Sequence, residues 1–193
     1  MKNKVILLIL DGLGYSYARK LMGNLEGWVD AGEAQLWKGQ SVLPSVSGPC
    51  YASIHTGLTP QDHGVTSNYH QGKLEDADIF SAVKSAGGTT AAVAHSFFSD
   101  YFQASPFNHL RDMEVDDINR PIQHARFYTM AGENKAQPAT PSDIDLFWQM
   151  SLLIQRHQPD YFLFHSSTLD SLGHHYGFDS IEIDKNCYTI DAA

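Results

Sequence analysis

The sequence is poor in cysteine, in long apolar runs and in basic residues, and each shortage removes a class of protein. Its two cysteines, Cys50 and Cys187, have no metal-finger spacing, so we expect a reduced thiol pair and a cytoplasmic protein. The apolar run from Val5 to Leu10 is too short for the core of a signal peptide, and no later run could span a bilayer. We therefore expect a soluble chain without a membrane partner.

Acidic residues outnumber basic ones, 22 against 13, which gives a formal net charge of −9 over 193 residues. This charge argues against a nucleic-acid groove or an anionic membrane surface as the main partner. A phosphate-ester ligand would need local positive charge, which bound cations can supply. The hydrophobic content of 42% and the aromatic content of 11% are typical of a globular protein.

Continuous apolar runs alternate with helical patterns along the chain. The runs are typical of strands buried on both faces of a parallel sheet. They cover Val5 to Leu10, Thr89 to Ala94 and Tyr161 to Phe164. The helical patterns cover Asp76 to Ala86 and Ser142 to His157. This alternation predicts a single α/β domain over residues 1–193, with a mostly parallel sheet flanked by helices.

The alternation breaks down between about residues 96 and 140, where aromatic residues are mixed with charges and prolines. We expect an irregular insertion over the carboxyl edge of the sheet in this segment. It could be a substrate lid or an ordinary loop with its own aromatic core.

The stretch from Leu43 to Leu58 combines an extended segment with a short helix. It passes Ser47, meets Gly48-Pro49 and reads as helical up to Gly57. Proline is favoured in a first helical turn, so Ser47 is expected at a helix start, where free N–H groups stabilise an anion such as a phosphate. Serine is also a preferred N-cap, so a purely structural role stays open at this point.

Three further polar residues follow predicted strands. Asp11 comes directly after the first apolar run, and Asp170 and His174 come shortly after the last. Aspartate and histidine four residues apart can reach one cation from consecutive helical turns. Because parallel strands end at the same edge of a sheet, we expect Asp11, Ser47 and Asp170 to lie at one edge. A turn aspartate and a solvated helix end are the structural alternatives.

These segments carry a resemblance to a known family. The motif from Ser47 through Thr56-Gly57-Leu58 and Pro60 to His63-Gly64 resembles the nucleophile motif of the type I phosphodiesterase/nucleotide pyrophosphatase family, in the alkaline phosphatase superfamily. Leu10-Asp11-Gly12 resembles its first metal-ligand strand, and Asp170 with His174 resembles its second-metal motif. Asn68 stands where the family has an asparagine that donates to the substrate's phosphoryl oxygen.

The resemblance implies a metal-dependent hydrolase of phosphodiester or pyrophosphate bonds that acts on a small phosphate ester or a nucleotide. Two divalent cations are expected, with zinc as the metal: Asp11 and Ser47 would bind one, and Asp170 and His174 the other. Ser47 would be the nucleophile and form a phosphoserine, while Asn68 and the backbone N–H after Ser47 would bind the non-bridging oxygens.

The sequence also departs from the family pattern. The nucleophile is serine followed by glycine, where the family commonly has threonine and an aromatic residue, and the family's downstream Ser-Asp-His-Gly segment is absent. The chain therefore resembles the front part of the enzyme, with an alkaline-phosphatase-like sheet left incomplete towards the C-terminus. An exposed sheet edge would permit self-association. The alternatives are a catalytically incomplete remnant that binds metal or a partner weakly, or a phosphomonoesterase or phosphonate hydrolase of the same superfamily.

Overall fold

The computed structural model describes residues 3–130 and 140–193, which group into two compact units. Unit 1 comprises Met1–Ile9, Ser41–Thr129 and Gln149–His165. Unit 2 comprises Leu10–Gln40, Met130–Trp148 and Ser166–Ala193. The single α/β domain expected over residues 1–193 stays a prediction. No helix within the described ranges is long and apolar enough to cross a membrane.

A five-stranded sheet with the order β1-β5-β2-β4-β3 organises unit 1. Strand β2 pairs in parallel with both β4 and β5, whereas β3 pairs with β4 in the antiparallel sense. The strands are β1 (Val5–Leu10), β2 (Thr90–His95), β3 (Glu114–Asp116), β4 (His124–Tyr128) and β5 (Tyr161–Ser166). The mostly parallel sheet expected from the alternating pattern is therefore present.

Helices of varied length follow the strands. Those of unit 1 are α3 (Ser47–Thr56), α4 (Pro60–His63), α5 (Ile79–Ser85), α6 (Phe97–Phe102) and α7 (His109–Asp112). Those of unit 2 are α1 (Tyr15–Leu21), α2 (Gly23–Asp30), α9 (Thr168–Tyr176) and α10 (Ile181–Ala192). Helix α8 (Asp143–His157) has residues in both units.

Each unit has its own apolar core. In unit 1, every residue of β2 and β5 is buried, and aromatic side chains of α5 and α6 pack against the same cluster. The core of unit 2 is smaller and is formed by one face each of α1, α9 and α10. Burial of large aromatic side chains contributes more than any other residue type to such a core, because each removes about 150–250 Å² from water.

Strand β1 differs from its prediction. Its apolar run was expected to be buried on both faces, but β1 is the edge strand of the sheet, and Val5, Ile6 and Leu8 are 51%, 48% and 45% exposed. Leu7 and Ile9 pack on the unit 1 core. Apolar composition predicted a strand correctly, but it does not determine how many neighbours the strand has.

The segment predicted as an irregular insertion over residues 96–140 is also different where the structure describes it. Residues 96–130 contain α6, α7, β3 and β4, and β4 lies between β2 and β3 in the sheet. The pattern His124-Ala-Arg-Phe-Tyr128 lacks the continuous apolar run by which β1, β2 and β5 were predicted, so this strand was missed. Residues 131–139 of the predicted insertion lie outside the described residues.

Candidate active site

Ser47 is the first residue of helix α3. The preceding Val46 is extended, with φ −118° and ψ 159°, and occupies the N-cap position. The helix ends at Gly57, whose φ of 74° is the left-handed conformation that closes many helices. Because Val46 is the N-cap, the alternative in which Ser47 serves as the N-cap does not hold. The half-buried Ser47 hydroxyl therefore belongs to the first turn, next to the amides that helices leave unbonded.

Asn68 is fixed beside the start of α3. The Gly48 N–H donates to Asn68 Oδ1 at 2.7 Å. Since an N–H donor faces this oxygen, the amide group of Asn68 must direct its Nδ2 elsewhere, where it can donate to an anion. The same bond corrects one expectation: the N–H after Ser47 was expected to bind substrate oxygen, but it is bonded to Asn68.

Tyr101 explains the glycine that follows Ser47. A Cβ added to Gly48 would lie 2.7 Å from the Tyr101 hydroxyl oxygen and 3.1 Å from the Ser67 carbonyl oxygen. The Tyr101 side chain is fully buried, and its hydroxyl has no hydrogen-bond partner among the described residues. Burial raises the pKa of Tyr101 to about 12, so the phenol stays protonated at neutral pH. No spacing in the sequence links residue 101 to residue 48.

A buried hydrogen-bonded chain connects α3 to the carboxyl ends of β4 and β5. The Tyr51 hydroxyl lies 2.7 Å from His165 Nε2, and the Tyr128 hydroxyl lies 2.8 Å from His165 Nδ1. Burial, and next the neighbouring His95, lower the pKa of His165 to about 3, so its imidazole is neutral and donates through one nitrogen only. This chain of hydrogen bonds holds the first turns of α3 against the sheet. Sequence reasoning missed it because its members come from three distant segments.

His63, in the only Asp-His-Gly sequence of the chain, has a structural role. It is buried, its Nδ1 accepts the Val65 N–H at 3.1 Å, and its Nε2 lies 2.9 Å from Ser53 Oγ. With Nδ1 as the acceptor, Nε2 carries the proton and donates to Ser53. Both nitrogens are therefore occupied: the bond from Nε2 joins α4 to α3, and the bond to Nδ1 holds the turn that follows α4.

Unit 2 brings Asp11, Asp170 and His174 together. The Asp170 N–H donates to the Asp11 carbonyl oxygen at 3.1 Å. Gly12 permits this approach, because its φ is 81° and an added Cβ would lie 2.5 Å from the Asp170 nitrogen. On α9, one turn separates Asp170 from His174, whose Nε2 lies 3.4 Å from Asp170 Oδ1.

The electrostatics of this group favour a bound cation. Burial raises the pKa of Asp170, the charge of Asp11 raises it further, and His174 opposes the shift. A divalent cation would offset this repulsion between carboxylates, and carboxylate oxygen with imidazole nitrogen is a donor set that zinc accepts. The donor types present therefore fit a metal, although Asp170 and His174 supply two donors where a zinc site has three or four.

The sequence-predicted site residues thus form two groups. Ser47 and Asn68 belong to unit 1, and Asp11, Asp170 and His174 belong to unit 2. The meeting of Asp11, Ser47 and Asp170 at one edge of the sheet stays a prediction.

Solved structures of two kinds of hydrolase share this fold. Phosphonoacetate hydrolase from Sinorhizobium meliloti 1021, in complex with phosphonoacetate, matches with a TM-score of 0.64 and 19% identity over 99% of this chain and 52% of its own. Murine ectonucleotide pyrophosphatase/phosphodiesterase 5 matches with a TM-score of 0.65 and 16% identity over 98% of this chain and 50% of its own. An inactive variant of the murine protein, in complex with AMP, matches with a TM-score of 0.64.

The chain thus spans about half the length of these solved structures. At such identities the likeness shows the fold alone, and the expected alkaline-phosphatase-like α/β fold is confirmed. No curated protein matches the chain.

The match to a family description covers almost the whole sequence, from residue 5 to residue 193. That family is the one expected from the Ser47, Asp11 and Asp170 motifs. The chain therefore belongs to the type I phosphodiesterase/nucleotide pyrophosphatase family of the alkaline phosphatase superfamily.

Proposed function

We propose that this chain carries the nucleophile of a metal-dependent hydrolase that cleaves phosphodiester or pyrophosphate bonds in small phosphate esters or nucleotides. The observation that carries the proposal is the start of α3, where Ser47 is the first helical residue and the Gly48 amide holds Asn68 beside it. Family membership and the phosphonate and nucleotide ligands named for the similar structures support the same class of substrate.

Ser47 acts by nucleophilic catalysis. Its hydroxyl gives its proton to solvent water, its oxygen attacks phosphorus, and the bond to the leaving oxygen breaks. A second water then cleaves the phosphoserine, which restores the serine hydroxyl and releases the phosphate product. Asn68 donates from Nδ2 to a non-bridging oxygen, because its Oδ1 is held by the Gly48 N–H.

Asp11 and Ser47 would hold one divalent cation, and Asp170 and His174 the other. When bound, the cations favour ionisation of the Ser47 hydroxyl and neutralise charge on the leaving oxygen. Asp11 and Asp170 are already held close through their backbones, so the unit 2 ligands need little reorganisation before binding. We propose zinc because the ligands combine carboxylates with imidazole.

Hydrolysis of bis(p-nitrophenyl) phosphate with added zinc tests the proposal, with a p-nitrophenyl phosphonate ester and p-nitrophenyl phosphate measured in parallel. We expect Ser47→Ala to abolish turnover and Asn68→Ala to lower kcat about 10²–10³-fold, the usual cost of removing one such donor. Ser45→Ala is the matched control, because Ser45 is an exposed serine of the same motif. Full turnover by Ser47→Ala would exclude Ser47 as the nucleophile.

A second candidate is a catalytically incomplete remnant of the family. The observation favouring it is that Asp170 and His174 supply fewer donors than a zinc site normally has. In that case the chain binds zinc weakly and hydrolyses none of the three esters. A form of the protein with further downstream sequence separates the two candidates, because it gains activity only if it supplies the remaining ligands.

A further inference from the structure

A second group of metal-ligand side chains lies in unit 1, and none of its members is one of the proposed catalytic or catalytic-metal residues. Asp116, His124 and His157 each place one ligand atom within 4.8 Å of the other two. Among the described residues this is the one group of three such donors. It combines the donor types of a zinc site, two imidazoles and a carboxylate.

The backbone fixes two of the three ligands relative to each other. Asp116 and His124 are direct partners in the antiparallel pairing of β3 with β4. Their side chains meet, with His124 Nδ1 2.7 Å from Asp116 Oδ1, and His124 is 8% exposed. A paired, mostly buried imidazole loses little freedom when it binds an ion, which favours affinity.

His157 completes the group from the last residue of α8. Its ring stacks on that of His124, with centroids 3.7 Å apart and planes 15° apart. The arrangement brings two imidazoles together beside one carboxylate, although the charge of Arg156 lies close to His157.

The group is at the opposite end of β4 from the residues that support α3. His124 is the first residue of β4, and Tyr128, which bonds His165, is the last. At about 3.3 Å per residue, roughly 13 Å of strand separates the two positions. A ligand at this group therefore does not contact Tyr51 or the His165 chain.

We propose that Asp116, His124 and His157 bind one Zn²⁺ ion, independently of the proposed catalytic metals. Zinc bonds of about 2.0–2.2 Å place tetrahedral ligands roughly 3.3–3.5 Å apart, a spacing within reach of donors that already lie within 4.8 Å of one another. Because the two rings are stacked in parallel, their nitrogen lone pairs lie in parallel planes and do not point at one ion. The ring of His157, which is only partly buried, therefore rotates out of the stack when zinc binds. Three protein ligands leave a fourth position for water.

Zinc titration of the 193-residue chain against a chromophoric chelator tests this site. The Asp11→Asn/Asp170→Asn/His174→Ala variant removes the three proposed unit 2 ligands, and we expect it to keep one bound ion per chain. Adding His157→Phe, which preserves a ring for stacking but removes the nitrogens, should weaken that binding at least about tenfold, the lower end of the loss seen even for outer-shell partners. His109→Phe is the matched control, because His109 is an exposed histidine outside the group.

Two results would overturn the site: no zinc bound by Asp11→Asn/Asp170→Asn/His174→Ala, or equal affinity with and without His157→Phe. If the triple variant does not fold, the single His157→Phe variant decides, since it must bind one ion fewer than the unaltered chain. Imidazole ¹⁵N shifts add an independent readout, because zinc should move the signals of His124 and His157 and leave those of His109 in place. Loss of ester hydrolysis in any variant does not bear on this outcome.

Discussion

At the scale of single residues, the start of α3 requires glycine at position 48 because there is no space for a side chain, not because of its backbone conformation. Gly48 is buried and helical, so a glycine is not needed there for an unusual φ. It is needed because the Tyr101 hydroxyl occupies the place of a side chain at position 48. The departure from the family pattern noted in the sequence, glycine after Ser47, is thus matched by a tyrosine more than fifty residues away that fills the space of a side chain.

We expect Gly48→Ala to destabilise the chain by about 1–3 kcal/mol, the usual cost of overpacking a core. Tyr101→Phe should restore most of this loss in the Gly48→Ala background, because it removes the oxygen that lies 2.7 Å from the added Cβ. The free energy of unfolding in urea measures both effects. Gly23→Ala is the control, since Gly23 begins α2 and an added Cβ meets nothing within 4 Å. Additive losses in the Gly48→Ala/Tyr101→Phe variant would contradict the clash.

Two buried histidines make stability depend on pH. Burial lowers the pKa of His55 to about 4, and burial followed by the charge of His95 lowers the pKa of His165 to about 3. Below pH 6.5 the unfolded chain binds protons at these rings that the folded chain does not, so stability falls as the pH falls.

By pH 4.5 each histidine should cost about 2–3 kcal/mol of unfolding free energy relative to neutral pH. Urea unfolding at a series of pH values between 7.5 and 4.5 measures the slope. His165→Gln should reduce the slope by about half while leaving the His55 contribution. An unfolding free energy that is constant over this range would show that the two rings are not buried as neutral imidazoles.

At the scale of elements, β1 shows what an apolar run does and does not specify. Ile6 and Leu8 alternate with Leu7 and Ile9, and only the second pair packs on the unit 1 core. The exposed pair lies on an edge strand, where unpaired backbone groups and apolar side chains favour association with another chain.

We therefore predict that the chain self-associates through β1. Leu8→Lys should weaken association about tenfold, equivalent to 1.4 kcal/mol, because it places a charge on the exposed face of the edge strand. Sedimentation velocity over a concentration series measures the association constant. Leu110→Lys is the control, since Leu110 is fully exposed on α7. Equal weakening by both substitutions, or a monomer at all concentrations, would contradict the prediction.

At the scale of the whole molecule, we expect a cation bound by the unit 2 carboxylates to change the stability of the folded chain. Asp170 is held against Asp11 with its charge disfavoured by burial and by that neighbour. A cation that binds only the folded chain stabilises it, by about 2.7 kcal/mol at a concentration one hundred times its dissociation constant.

Asp170→Asn should therefore act in opposite directions with and without metal. In chelator the variant should unfold at a higher temperature than the unaltered chain, because a partly buried charge that Asp11 repels is removed. With added zinc it should gain less stability than the unaltered chain. Thermal unfolding in the two conditions measures both, and Asp145→Asn, at an exposed position of α8, is the control. A full zinc-dependent gain in Asp170→Asn would exclude Asp170 as a ligand.

The sequence by itself determined the α/β class, three of the strands, helix α3 up to Gly57 and the family, because these depend on local apolar patterns and on closely spaced motifs. It also identified Ser47, Asn68, Asp11, Asp170 and His174 as candidates. Only the tertiary structure decided that β1 lies at an edge, that β4 belongs to the sheet, that Tyr101 fills the space beside Gly48 and that Asp116, His124 and His157 meet. Each of these depends on which distant segments pack together, and a linear pattern carries no information on that choice when the partners have neither a periodic nor a motif signal.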